Sequence, residues 1–140
     1  MNPSFTMAGR ALKILLVDDS EFILQRLEQL LKELPGVQEV RTATSAEQAA
    51  EMIVAYNPGL VILDINLPGK NGLQMLKEIR ATPEIDPIVV ILTNNTLSGY
   101  RAECMQHGAD YFLDKAKDFG MLPAIIEKTA TSSVQNPRRH

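Results

Sequence analysis

Five side chains in this sequence have the types and settings to handle a phosphoryl group together. The aliphatic run Leu60-Val61-Ile62-Leu63 ends on Asp64, and the loop Pro68-Gly69-Lys70-Asn71-Gly72 follows closely. The run Lys13–Val17 ends on Asp18-Asp19, the run Ile88–Leu92 ends on Thr93, and the short segment Asp110–Leu113 leads into Asp114-Lys115. If these runs are parallel strands, Asp18, Asp19, Asp64, Thr93 and Lys115 emerge from one edge of a sheet. Three carboxylates gathered there repel, and each raises its neighbours' pKa. A divalent cation removes that cost, and oxygen donors with no His or Cys beside them suit Mg2+, which takes further ligands from phosphate oxygens. Asp64 then reads as a nucleophile whose carboxylate attacks phosphorus and becomes an acyl phosphate. Lys115 is a second cation for the transferring group and Thr93 a hydroxyl donor.

The segments between these runs have the pattern needed to position them. Glu21 to Glu33 reads as a helix with Ile23, Leu27, Leu30, Leu31 and Leu34 on one face, stopped by Pro35-Gly36. Val37–Thr42 is a strand polar enough for a sheet edge. Thr44-Ser45-Ala46-Glu47 fits a capping box for a helix whose apolar face is Ala49, Ala50, Ile53 and Val54, ended by Asn57-Pro58-Gly59. Leu60–Asp64 is the third strand and Leu73–Arg80 the third helix. Ile88–Leu92 reads as a central strand, Ser98–Gln106 as a helix closed by His107-Gly108, and Leu122–Lys128 as a last helix with Pro123 in its first turn. Strands and helices alternate, and the strands are almost wholly aliphatic. That predicts an α/β domain with a doubly wound, five-stranded parallel sheet covered on both faces by helices. Sites in such sheets form at the carboxyl ends of the strands, near a switch in strand order.

The chain has 140 residues, which suits one domain, and 45% are hydrophobic, enough for a core. Residues 1–11 read as a flexible leader, 12–130 as the domain and 131–140 as a polar tail. A net charge of −3 argues against electrostatically driven DNA binding. A single cysteine, Cys104, and no apolar run of membrane-spanning length lead us to expect a cytoplasmic protein with no membrane association. Tyr100 and Tyr111 read as packing residues, and Cys104 and His107 as structural or exposed.

Four pieces of the chain resemble the receiver domain of two-component response regulators: VDDS (17–20), LDINLPGKNG (63–72), ILTN (91–94) and GADYFLDK (108–115). They stand in that family's order and spacing, and the likeness covers residues 12 to 130. The resemblance implies the flavodoxin-like receiver fold, of the single-domain, chemotaxis-regulator type. It implies Asp64 as phosphoacceptor, Asp18 and Asp19 as the Mg2+-organising acids, and Asn66 as the position whose main-chain carbonyl completes the metal shell. It further implies Thr93 and Phe112 as switch residues and Lys115 as the lysine that pairs with the phosphoryl group. A histidine kinase or histidine-phosphotransfer protein is the implied donor, and a stand-alone domain with no output module after residue 130 is expected, with output through protein contact or phosphorelay. Phe22 and Leu24 fall off the apolar stripe of the first helix, and read equally as an exposed patch suited to a helical histidine-phosphotransfer partner or as residues partly buried by the leader. The chain departs from the family at Ala116, where proline is usual, and at Asn94, where a smaller residue is usual. Either departure bears on the loop shape or on acyl-phosphate lifetime.

Three other readings compete. In a Mg2+-dependent phosphohydrolase Asp64 is still the nucleophile, but Asn66 stands where a second acid is commonly needed. A nucleotide-binding module would carry a glycine-rich phosphate loop at a strand end, which is missing from the sequence. A receiver-like interaction domain that accepts no phosphate is opposed by the full acid cluster.

Overall fold

The computed structural model describes residues 11–131 apart from 95 and 97, so the leader and tail expectations fall outside the described residues except at Ala11 and Thr131. Five strands alternate with five helices: β1 (Leu12–Val17), α1 (Glu21–Leu31), β2 (Val37–Ala43), α2 (Ala46–Tyr56), β3 (Leu60–Leu63), α3 (Gly72–Ala81), β4 (Ile88–Thr93), α4 (Ser98–Gln106), β5 (Tyr111–Asp114) and α5 (Leu122–Thr131). A 3-10 turn, Phe119–Met121, leads into α5. The strands form one parallel sheet in the order β2-β1-β3-β4-β5. β2, the most polar of them, lies at an edge as its composition predicts, and β4 is an interior strand.

Alternation along the strands sorts the core into two layers. Leu15, Val17, Val61, Leu63, Val89 and Ile91 face α2, α3 and α4, where Ile53, Leu76 and Cys104 meet them. Ile14, Leu16, Ile62, Val90 and Leu92 face α1 and α5, where Leu27 and Ile126 meet them. Both faces of the interior strands are dry along most of their length, which is why these runs are almost wholly aliphatic, Lys13 near the start of β1 and Thr93 at the end of β4 being the exceptions. No helix among the described residues is long and apolar enough to cross a membrane.

The helix faces need three corrections. Leu24 is buried with Leu27 and Leu31, while Ile23, Leu30 and Leu34 are only partly covered. The stripe 24-27-31 shares Leu27 and Leu31 with the expected one and is rotated by part of a turn, so only Phe22 remains of the expected exposed pair. On α2 the buried set is Ala46, Ala49, Ile53 and Tyr56; Ala50 and Val54 face solvent. Its capping box is also shifted by one residue: Ser45 Oγ accepts from the Gln48 N–H (3.1 Å), and Gln48 Oε1 accepts in return from the Thr44 N–H (2.9 Å). Ser98–Gln106 has both expected bounds, and the other strand and helix ends fall within three residues of theirs. Asn57, with φ of 51°, and Gly108, with φ of 106°, end α2 and α4 in left-handed turns.

Tyr56 closes the α2 layer beside the β2 edge. The Arg41 guanidinium lies 4.4 Å and the Lys13 ammonium 5.1 Å from its ring centre. Its hydroxyl is buried with no hydrogen-bond partner among the described residues, and burial pushes the phenol up to about 12. Removing a hydroxyl that makes no hydrogen bond of good geometry, while keeping the ring, relieves a desolvation penalty and gives up only a weak polar contact with the Ile14 main chain. Tyr56→Phe is therefore expected to leave stability unchanged or raise it by about 1 kcal/mol, measured by urea unfolding.

Candidate functional site

The chain turns back at the amino-terminal half of the sheet: β2 lies on one side of β1 and β3 on the other. A crevice opens at that switch, at the carboxyl ends of β1 and β3. Val17 and Leu63 are register partners, so Asp18 and Asp64 follow side by side. The sheet bonds run on one residue further: the Asp64 N–H donates to the Val17 carbonyl (3.1 Å) and the Asp18 N–H to the Ala43 carbonyl (3.1 Å). Both acids thus stand on rigid strand ends rather than on loops. Their side chains are buried, whereas Asp19 is exposed.

Local turns aim the two buried carboxylates. Asp18 Oδ1 accepts from the Ser20 N–H (2.9 Å), in the turn that leads to α1, where Ser20 Oγ in turn caps the Ile23 N–H (3.3 Å). Asp64 Oδ1 accepts from the Asn66 N–H (3.1 Å). Gly72, at the start of α3, lies against the Asp64 and Ile65 backbone so closely that a Cβ there would overlap it, and its N–H donates to the Ile65 carbonyl (2.7 Å). Only glycine lets α3 begin under the strand end that carries Asp64. Gly72 was not singled out in the sequence, although it sits in the matched stretch 63–72.

Lys115 reaches both buried acids. Its ammonium lies 2.6 Å from Asp18 Oδ2 and 2.8 Å from Asp64 Oδ2. Burial disfavours the charged lysine, but the bonds to Asp18 and Asp64 more than offset that, and its pKa is raised. Burial raises the pKa of Asp18, and the Lys115 hydrogen bond only partly offsets this. Carboxylate oxygens of Asp18, Asp19 and Asp64 all lie within 4.8 Å of one another. One ammonium faces three acids. The remaining negative charge, the all-oxygen donor set and the one solvent-facing carboxylate fit a hard divalent cation such as Mg2+.

Thr93 ends β4 fully buried, opposite Asp114 in the β4–β5 register, and the Lys115 N–H donates to the Thr93 carbonyl (3.0 Å). The structure therefore brings Asp18, Asp19, Asp64, Thr93 and Lys115 to the same end of the sheet, with Asn66 exposed just past Asp64. Phe112 lies two residues before Asp114 and is buried in the layer facing α4. Its surroundings are not wholly apolar. The Arg101 guanidinium lies 5.8 Å from the ring centre and donates to the Phe112 carbonyl (3.2 Å). Cys104 is buried, its thiol pushed up to about 11 by desolvation, and plays no part in the site. Asn94 is exposed.

A family model for the response regulator receiver domain matches residues 14–127. Among curated relatives, a protein-glutamate methylesterase/protein-glutamine glutaminase of Pseudoalteromonas atlantica is 33% identical over 107 residues, covering 75% of this chain and 28% of that protein. The nitrate/nitrite response regulator protein NarL of Escherichia coli is 31% identical over 122 residues, covering 86% of this chain and 56% of that protein. This chain thus spans about a quarter to a half of the length of these relatives. A solved DNA-binding response regulator of the LuxR family from Staphylococcus aureus superposes with a TM-score of 0.76 at 28% identity, covering 85% of this chain and 98% of that one.

Proposed function

The chain belongs to the response regulator receiver family, and from that membership we propose that Asp64 accepts a phosphoryl group from a phosphohistidine on a partner kinase or histidine-phosphotransfer protein. The observation that carries this is a buried carboxylate at a strand end, beside a second acid and paired with Lys115 at 2.8 Å. An Asp64 carboxylate oxygen forms the new bond to phosphorus. The bond from phosphorus to the imidazole nitrogen breaks, its electron pair stays on the ring, and the ring nitrogen takes up a proton. The Lys115 ammonium follows the negative charge onto the phosphoryl oxygens, and the Thr93 hydroxyl donates to one of them. Asp18, Asp19 and Asp64, with the main-chain carbonyl of Asn66, would hold Mg2+, which when bound neutralises charge on the transferring group.

Thr93 and Phe112 move together in this reading, and phosphorylation shifts an equilibrium between two pre-existing states. Output then passes through protein contact at α4, β5 and α5, or onward by phosphorelay. The domain assists only its own phosphorylation and dephosphorylation and turns over no external phosphoester. The exposed ring of Phe22, with the Arg26 guanidinium 5.8 Å from its centre, stands two residues past Ser20 and offers the donor protein an apolar contact next to the acid pair.

Incubation with a small acyl phosphate should add the mass of one phosphoryl group to the intact protein in Mg2+ and none in excess chelator. Turnover of diverse phosphate esters, or no adduct from either the small donor or a histidine kinase, would overturn the proposal.

A further inference from the structure

The loop after β5 is held in a way that bears on Lys115. β5 is an edge strand, so the Asp114 N–H, which points away from β4, has no strand to bond. Asp118 Oδ2 accepts it (2.9 Å), and the Asp118 N–H donates back to the Asp114 carbonyl (2.8 Å). Asp114 Oδ1 accepts from the Ala116 N–H (2.7 Å), a donor that a proline at this position would lack. The Lys115 N–H itself continues the sheet to Thr93. The main-chain N–H groups of residues 114, 115 and 116 are thus all fixed, two of them by carboxylates. Such bonds to ionised acceptors are stronger than neutral ones.

Resting on the reading of Asp64 as phosphoacceptor, we propose that Asp114 and Asp118 are positioning residues: by closing this loop around Lys115 they hold its ammonium against Asp18 and Asp64. They touch neither acid, and they act only through the direction in which the Lys115 side chain leaves the backbone. A side chain with four rotatable carbons reaches two buried acceptors at 2.6 and 2.8 Å only if its root is fixed.

The test combines amine acylation with phosphoryl uptake on the full chain. In the metal-free protein, acylation by an acetylating ester is read at Lys115 by peptide mass, with exposed Lys117 as the internal reference. Asp118→Ala is expected to raise Lys115 labelling relative to Lys117 by about tenfold and to slow phosphoryl uptake from a small acyl phosphate by a similar factor, as when an outer-shell partner is lost. Asp118→Asn, which keeps an acceptor oxygen, is expected to restore both. In a Lys115→Ala background, Asp118→Ala is expected to have no further effect on uptake, an outcome that general loosening of the loop would not give. Asp114→Ala, which breaks the other side of the loop, gives an independent variant with the same expected pattern. Unchanged Lys115 labelling in both alanine variants, or additive losses of uptake with Lys115→Ala, would overturn the proposal. Raised labelling in a protein whose wild type takes up no phosphoryl group would uphold the positioning role while removing Asp64's role as acceptor.

Discussion

Asp64→Asn is expected to take up no phosphoryl group from a donor that loads the wild-type protein. The substitution keeps the size of the side chain and an oxygen that can accept from the Asn66 N–H, so the turn held by that bond persists. What it removes is the charged oxygen that attacks phosphorus, and loss of a nucleophile of this kind costs about 10⁴-fold or more. Asp18 is the only other buried carboxylate of the cluster. It is tied to the Ser20 N–H and to Lys115, and its raised pKa reports a site that disfavours its charged form. It is therefore a poor substitute, and residual uptake in Asp64→Asn is expected to stay at background by intact mass.

Lys115→Met is expected to lower both stability in chelator and phosphoryl uptake, with Mg2+ restoring only the first. Without metal, its ammonium is the cation paired with Asp18 and Asp64, whose side chains are almost wholly buried. Removing one partner of a buried ion pair leaves uncompensated charge, at a cost of about 3 kcal/mol. In chelator, the variant should therefore melt well below wild type. Added Mg2+ should restore much of that loss, because the acids then lack a competing cation and bind metal more tightly, and ligand binding to the folded state raises its stability. Phosphoryl uptake should nevertheless fall by about 10²-fold, the scale on which a single charge-stabilising donor acts in a transition state. Thermal melts with and without Mg2+, beside uptake rates from a small acyl phosphate, check both halves. A variant as stable as wild type in chelator would show that Lys115 does not neutralise the cluster.

Much of this arrangement was legible in the sequence, and for an identifiable reason. Strands buried on both faces must be aliphatic throughout, so Leu60–Leu63 and Ile88–Leu92 stand out, and the first polar residue after each marks the strand's mouth. That is how Asp64 and Thr93 were found, and the parallel order then placed Asp18, Asp19 and Lys115 with them. The helix faces were less legible. On α1, two overlapping stripes share Leu27 and Leu31, and only the angle at which the helix lies on the sheet decides that Leu24 is inside and Leu30 on the flank. On α2, alanines fit either environment, so Ala50 and Ala46 could not be told apart by hydrophobicity. The cap at Ser45–Gln48 was displaced by one residue because Thr44 and Ser45 carry the same kind of oxygen and Gln48 accepts as well as an acid does. What periodicity could not reveal was backbone chemistry: Gly72 making room beneath Asp64, and the Asp114–Asp118 loop supplying the acceptor that an edge strand lacks.

The central claim is that one carboxylate, at position 64, carries the phosphoryl group. The most direct measurement is to load the protein with a small acyl phosphate in Mg2+, reduce the acyl phosphate with borohydride, and sequence the peptides by mass. Reduction converts a phosphorylated aspartate to homoserine and leaves free aspartates unchanged. Homoserine at position 64, with Asp18 and Asp19 intact, is the predicted result. Homoserine at 18 or 19, or a phosphoryl group recovered on a histidine or serine instead, would contradict it.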